Sequence, residues 1–265
     1  MSLLSVFSIY LLLGAFAGTL AGLFGIGGGL IIVPVLIFSF GLQGFSPEIA
    51  AHMAVGTSLA TIVFTSMSSI RTHHIHGAIR WDVFRPMALG IVVGAVTGAW
   101  TAALLSGAAL ELIIGLFVIL VGIKMLFDVN PSPGRDIPGK PGLGAAGAGI
   151  GWASAIFGIG GGTLTVPYLS WCNVRMQQAV GTSAACGLPI AVAGALGNAW
   201  TGWQEPVLPE YSLGFIYVPA LIGIILTSVM FARVGANLAH RLNAKVLKRV
   251  FAILLLLVGL RFLLS

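Results

Sequence analysis

The hexapeptide Phe24-Gly25-Ile26-Gly27-Gly28-Gly29 recurs unchanged at Phe157 to Gly162, and each copy interrupts an otherwise unbroken apolar run. The chemistry such a string offers is that of bare backbone. A helix beginning just after it, near Leu30 or Thr163, points unpaired N–H groups and its positive dipole end back into the glycine turn. Glycine also lets an oxyanion approach main-chain donors without a side chain in the way. A second repeated string, Ala-Val-Gly-Thr-Ser at Ala54 to Ser58 and Ala179 to Ser183, adds hydroxyl donors if it faces the same cavity. The candidate anion-binding set is therefore Gly27, Gly28, Gly29, Thr57 and Ser58 in the first copy and Gly160, Gly161, Gly162, Thr163, Thr182 and Ser183 in the second. Asn198 is a further polar member of that cavity, and Gly25, Pro34, Gly158 and Pro167 are candidate hinges.

Other uses of the same residues stay open. Successive glycines can form a purely mechanical hinge, and Ser or Thr in a membrane helix commonly bonds its own preceding turn. Gly14, Gly18 and Gly22, and likewise Gly90, Gly94 and Gly98, have the four-residue spacing of close helix packing. All seven acidic residues, Glu48, Asp82, Glu111, Asp128, Asp136, Glu205 and Glu210, fall at segment ends or in loops. That leaves no carboxylate at depth to hold a cation or relay a proton. No catalytic group, metal or cofactor is expected; His73, His74 and His76 read as part of a solvated basic loop.

The elements that must position these strings are membrane helices. With 58% hydrophobic and 8% charged residues and a mean hydropathy of +1.05, the chain reads as a polytopic membrane protein. No alternating barrel pattern occurs, so the fold is expected to be all-α. Apolar runs place segments at about 3–24, 30–43, 49–70, 83–105 and 110–127, then again at about 142–158, 163–172, 177–198, 212–234 and 246–264. The second of each five is too short to span, so each glycine string joins a helix to a half-helix, giving roughly 8–10 membrane segments. Two repeats follow, residues 1–127 and 142–265, with a Pro- and Gly-rich connecting loop at 128–141. Gly14 and Gly18 match Gly147 and Gly151, so the first helix belongs to the repeat and is not expected to be a cleaved leader.

Loop charges give an orientation. Arg71 to Arg85 and Arg233 to Arg249 are basic, whereas 41–48, 105–111 and 199–211 contain no Lys or Arg. The basic loops are expected on the cytoplasmic side and both termini outside. Equivalent loops then lie on opposite sides, which makes the repeats inverted. That is a ground plan of secondary transporters, with a site at the repeat interface near mid-depth. The net charge of +6 is explained by these loops, and no nucleic-acid partner is expected. Trp81, Trp200 and Trp203 read as interfacial anchors.

Taken together, the paired Phe-Gly-Ile-Gly-Gly-Gly strings, the Val-Pro-Val-Leu (33–36) and Val-Pro-Tyr-Leu (166–169) that follow, and the two Ala-Val-Gly-Thr-Ser strings resemble the sulfite exporter TauE/SafE family over nearly the whole chain. The resemblance implies an inner-membrane permease of bacterial type, an exporter of sulfite or small organosulfonate anions. Carried over by position, it makes Gly27 to Gly29, Gly160 to Gly162 and the two Thr-Ser pairs substrate-facing. A passive anion channel fits the same inverted plan. A thiol redox protein using Cys172 and Cys186 is disfavoured because no CxxC spacing occurs, and an intramembrane protease using Ser58 or Ser183 lacks a suitably placed histidine.

Overall fold

The computed structural model describes residues 3–24, 29–127, 134–239 and 244–264. Gly25, Gly27 and Gly28 lie outside these residues. Among those described there are ten helices: α1 (Leu3–Phe24), α2 (Gly29–Leu42), α3 (Pro47–Ile75), α4 (Trp81–Leu104), α5 (Gly107–Leu126), α6 (Lys140–Phe157), α7 (Gly162–Trp171), α8 (Met176–Thr201), α9 (Val218–Ala239) and α10 (Ala244–Leu264). Four of them, α3, α4, α5 and α8, are long and apolar enough to cross a membrane, and shorter apolar stretches lie in α1, α2 and α9. The chain is thus an all-α polytopic membrane protein.

Local chemistry explains the ends. Ser46 accepts from the Glu48 N–H at 3.4 Å, and Pro47 opens α3 where a missing donor costs nothing. His73 and His74 sit in the last turn of α3, which is closed by the His76 N–H donating to the Thr72 carbonyl at 3.3 Å. This helix therefore runs to Ile75, beyond the expected boundary near residue 70. The ninth segment also departs from expectation. Residues 212–217, expected to open a helix, form a two-residue antiparallel ladder, β1 (Ser212–Leu213) with β2 (Ile216–Tyr217). Gly214 supplies the left-handed turn at φ +55°, and α9 starts only at Val218, with Pro219 in its first turn.

The most extensive helix contacts are α4 with α6 and α1 with α9, followed by α5 with α10 and α3 with α8. If α1 to α5 are matched with α6 to α10, the first two pairings exchange and the last two map onto themselves. Glycine sets the closest of these contacts. A Cβ on Gly90, Gly94 or Gly98 would collide with main-chain oxygens of Gly144, Ala148 and Trp152 on α6. Gly14 and Gly18 meet the backbone of Ile224 and Ser228 on α9 in the same way. These two stripes are the packing faces their spacing predicts.

The two short helices differ in burial: in α7 only Thr165 and Leu169 are buried. By helix rise, α7 with 10 residues is about 15 Å long, half the hydrocarbon thickness. Helix α2 has 14 residues and is mostly buried, with Leu30, Ile31, Ile32, Val33, Leu36 and Ile37 all in the core.

Candidate substrate site at the glycine breaks

The second break is formed by the left-handed residue Gly158, φ +64°, which ends α6, and by Gly161, which precedes α7. Ser154 closes the turn through its carbonyl, which accepts from the Ile159 N–H at 3.0 Å. No side chain caps α7 among the described residues, so its first N–H groups are left for another acceptor. Pro167 lies one turn and a half further on and cannot donate to the Thr163 carbonyl, which loosens the first turn.

Both halves of the chain close on this break. From the first, the Ser58 hydroxyl donates to the Gly158 carbonyl at 2.7 Å in a buried bond. A Cβ on Gly29 would stand 2.6 Å from that same carbonyl and 2.8 Å from Ile159 Cα. The start of α2 therefore touches the end of α6, and the two glycine strings meet. From the second half, Gly161 lies against the Ser183 carbonyl and the Gly187 N–H of α8. Ser58, Gly158, Gly161, Gly29 and the Ser183 carbonyl are thus brought together.

Thr57 and Thr182 face elsewhere. The Tyr217 N–H donates to Thr57 Oγ1 at 2.9 Å, and the Arg80 N–H donates to Thr182 Oγ1 at 3.0 Å. Each threonine thereby caps the fourth helix of the other half, α9 and α4 respectively. The glycine before each makes room: Gly56 abuts the Phe215 carbonyl and Gly181 the Ala78 carbonyl. Asn198 also stands apart, because it lies 11 positions along α8 from Gly187, about 16 Å by helix rise. Its amide donates to its own Gly194 carbonyl at 2.9 Å.

Three buried hydroxyls around the second break have no hydrogen-bond partner among the described residues: Ser154, Thr163 and Thr165. Ser154 and Thr165 are fully buried. The sequence motif points to Thr163 but not to Ser154 or Thr165. The available signal was the contrast with the equivalent positions of the first half, Ala21 and Ile32, which are apolar.

His52 forms a strut away from the break. Its Nδ1 lies 3.1 Å from the Glu48 carbonyl and its Nε2 3.0 Å from the Ala102 carbonyl on α4, with the ring stacked on Phe215 at 5.0 Å. A neutral imidazole has one N–H and can satisfy only one of them. Cys172 and Cys186 are free and buried. A surface cavity of about 760 Å³ at the C-terminal ends of α4 and α8 is lined by Trp100, Leu104, Trp200 and Trp203. Its exposed indoles suit the lipid interface rather than a hydrated anion.

A multi-pass helical protein in which the start of one short helix meets the glycine break that precedes the other has the make-up of a membrane transporter. The comparisons agree. A family model described as sulfite exporter TauE/SafE matches residues 10–262, and the chain belongs to that family. It is 37% identical over 257 residues to a protein of Haemophilus influenzae named "Probable membrane transporter protein", covering 96% of this chain and 97% of that one. A protein of the same description from Methanocaldococcus jannaschii is 26% identical, covering 97% of this chain and 95% of that one. The Bacillus subtilis transporter YunE, similarly named, is also 26% identical, with 96% of each chain covered. No solved structure matches the chain.

Proposed function

We propose that the protein is a secondary transporter that exports sulfite or small organosulfonate anions across a bacterial inner membrane by alternating access. The observation that carries this reading is the contact between Gly29 and Gly158–Ile159, bridged by Ser58. An uncapped half-helix beginning between two halves of a membrane protein is a ready anion site. Rocking of one half against the other would expose that site to either side in turn. The family description supplies the sulfur-oxyanion class, and the lack of any acidic residue in α2, α6, α7 or α8 favours an anion over a cation.

Under this reading the halves are inverted in the membrane. The basic 71–85 and 233–249 segments face the cytoplasm, as does the 128–141 loop between the repeats, and the termini face the periplasm. The test is uptake and counterflow of labelled sulfite in proteoliposomes, against sulfate, taurine, methanesulfonate and chloride. Saturable flux with counterflow is expected. Rapid unsaturable flux would make the protein a channel, and failure to move any sulfur anion would overturn the substrate class.

A further inference from the structure

The two glycine breaks are alike in sequence and unlike in chemistry. After the first, α2 reads Gly29-Leu-Ile-Ile-Val-Pro-Val-Leu-Ile; after the second, α7 reads Gly162-Thr-Leu-Thr-Val-Pro-Tyr-Leu-Ser. Every polar side chain of α7 through Ser170 stands where α2 has an aliphatic one. Opposite the breaks the same holds: Gly187 of α8 occupies the position that Ile62 fills in α3, and Gly187 lies against Gly161. Relative to its counterpart, the second break has gained hydroxyls, while the Ile62 side chain lies beside both, against Gly29 and Gly160.

Those hydroxyls do not serve the helix. Elsewhere in the molecule, Thr61, Thr97, Thr201 and Thr227 each donate to their own preceding turn, the usual resting place of a membrane hydroxyl. Thr163 and Thr165 have no partner among the described residues, although the oxygens of both are buried and Thr165 is wholly inaccessible. Leaving such groups unpaired is costly. Helical Cα–Cβ bonds tilt toward the helix N-terminus, so each side chain leans toward the end of α7 that carries the break and its uncapped N–H groups, Thr163 and Thr165 from nearly opposite faces of the helix.

Building on the transport reading above, we infer that the second break alone holds the anion, through Thr163, Thr165 and the first N–H groups of α7, and that it selects a monoanion. The charge preference follows from what surrounds it. No Lys or Arg lies in α2, in α7, or in the middle of α3, α6 or α8, so every donor is neutral. The cost of taking an ion from water into a low-dielectric site grows with the square of its charge. Neutral donors can offset one charge far more readily than two. Hydrogensulfite and sulfonates fit this site; sulfate and fully ionised sulfite do not.

Thr163→Val and Thr165→Val test this in the full-length protein in proteoliposomes. Each removes a hydroxyl at nearly constant volume, and each is expected to raise KM for sulfite about ten- to a hundredfold. Because no internal bond is lost, the thermal midpoint of the ligand-free variants should hold or rise. Thr165→Ser should restore a KM near wild type. Methanesulfonate should compete with sulfite, and sulfate should not. Unchanged KM in both valine variants, with wild-type transport intact, overturns the one-sided site but leaves the transport reading standing. A lower thermal midpoint with falling kcat and unchanged KM makes the hydroxyls structural and overturns the inference too. Equal competition by sulfate overturns the monoanion preference. A wild type that moves no sulfur anion removes the transport reading and this inference together.

Discussion

Glycine does two different jobs in this molecule, visible when the α4–α6 contact is set beside the second break. Along α4, every glycine of the stripe is required by space, because a Cβ at Gly90, Gly94 or Gly98 would strike main chain that cannot yield. At Gly160 a Cβ would stand 3.4 Å from the Ile62 side chain, a tolerable contact, and the backbone φ is not left-handed. Packing alone does not demand glycine there. The α4 set holds helices together, as Gly161 does against the Ser183 carbonyl, whereas Gly160 is not demanded by packing and leaves the main chain of the break uncovered.

The comparison predicts opposite outcomes for the two sets. Gly94→Val should cost roughly 3 kcal/mol or more by forcing α4 off the Ala148 backbone, seen as loss of folded protein in a detergent melt. A fully folded variant would show that the α4–α6 contact has slack. Thr57→Val, next to Ser58 in sequence but facing away from the break, strands the buried Tyr217 N–H and should cost about 1–3 kcal/mol. Its signature should be a lower melting point with KM unchanged. Gly160→Ala should do the reverse. Stability should move by less than about 1 kcal/mol, while KM for the transported anion rises about tenfold. Normal transport kinetics from that variant would erase the distinction between the two glycine sets. The smallest effect belongs to Gly149, where an added methyl group would have nothing within 4 Å. Gly149→Ala should leave transport intact and stabilise α6 by about 0.5–1 kcal/mol, measured in the same melt.

Much of the architecture is legible in the sequence because membranes simplify the code. Runs of apolar residues broken by Gly, Pro and charge mark all ten helices in order, since a chain in hydrocarbon must satisfy its backbone internally. The hairpin at 212–217 escapes because two-residue strands carry no periodic signal, and its turn depends on one left-handed glycine. At the site, the repeated strings single out Gly29, Ser58, Gly161 and Ser183 as candidates and Gly158 as a hinge, but their meeting is seen only in the fold. The roles of Thr57 and Thr182 are hidden, because each hydroxyl is claimed by an N–H far away in sequence. Asn198 is deceptive for a related reason: an amide in a helix looks like a site residue until its bond to its own turn is seen. The difference between α2 and α7 lies in plain view, yet it acquires meaning only once the hydroxyls of α7 are found unpaired.

The reciprocal threonine caps bear on how the protein is made. The donor at the start of α4 is capped by a hydroxyl 102 residues later in the chain, and the threonine of α3 waits 160 residues for its partner. A nascent first half leaving the ribosome therefore holds α4 without its cap until α8 has been synthesised and inserted. A product truncated before α8 would lack the Thr182 hydroxyl that accepts from the Arg80 N–H.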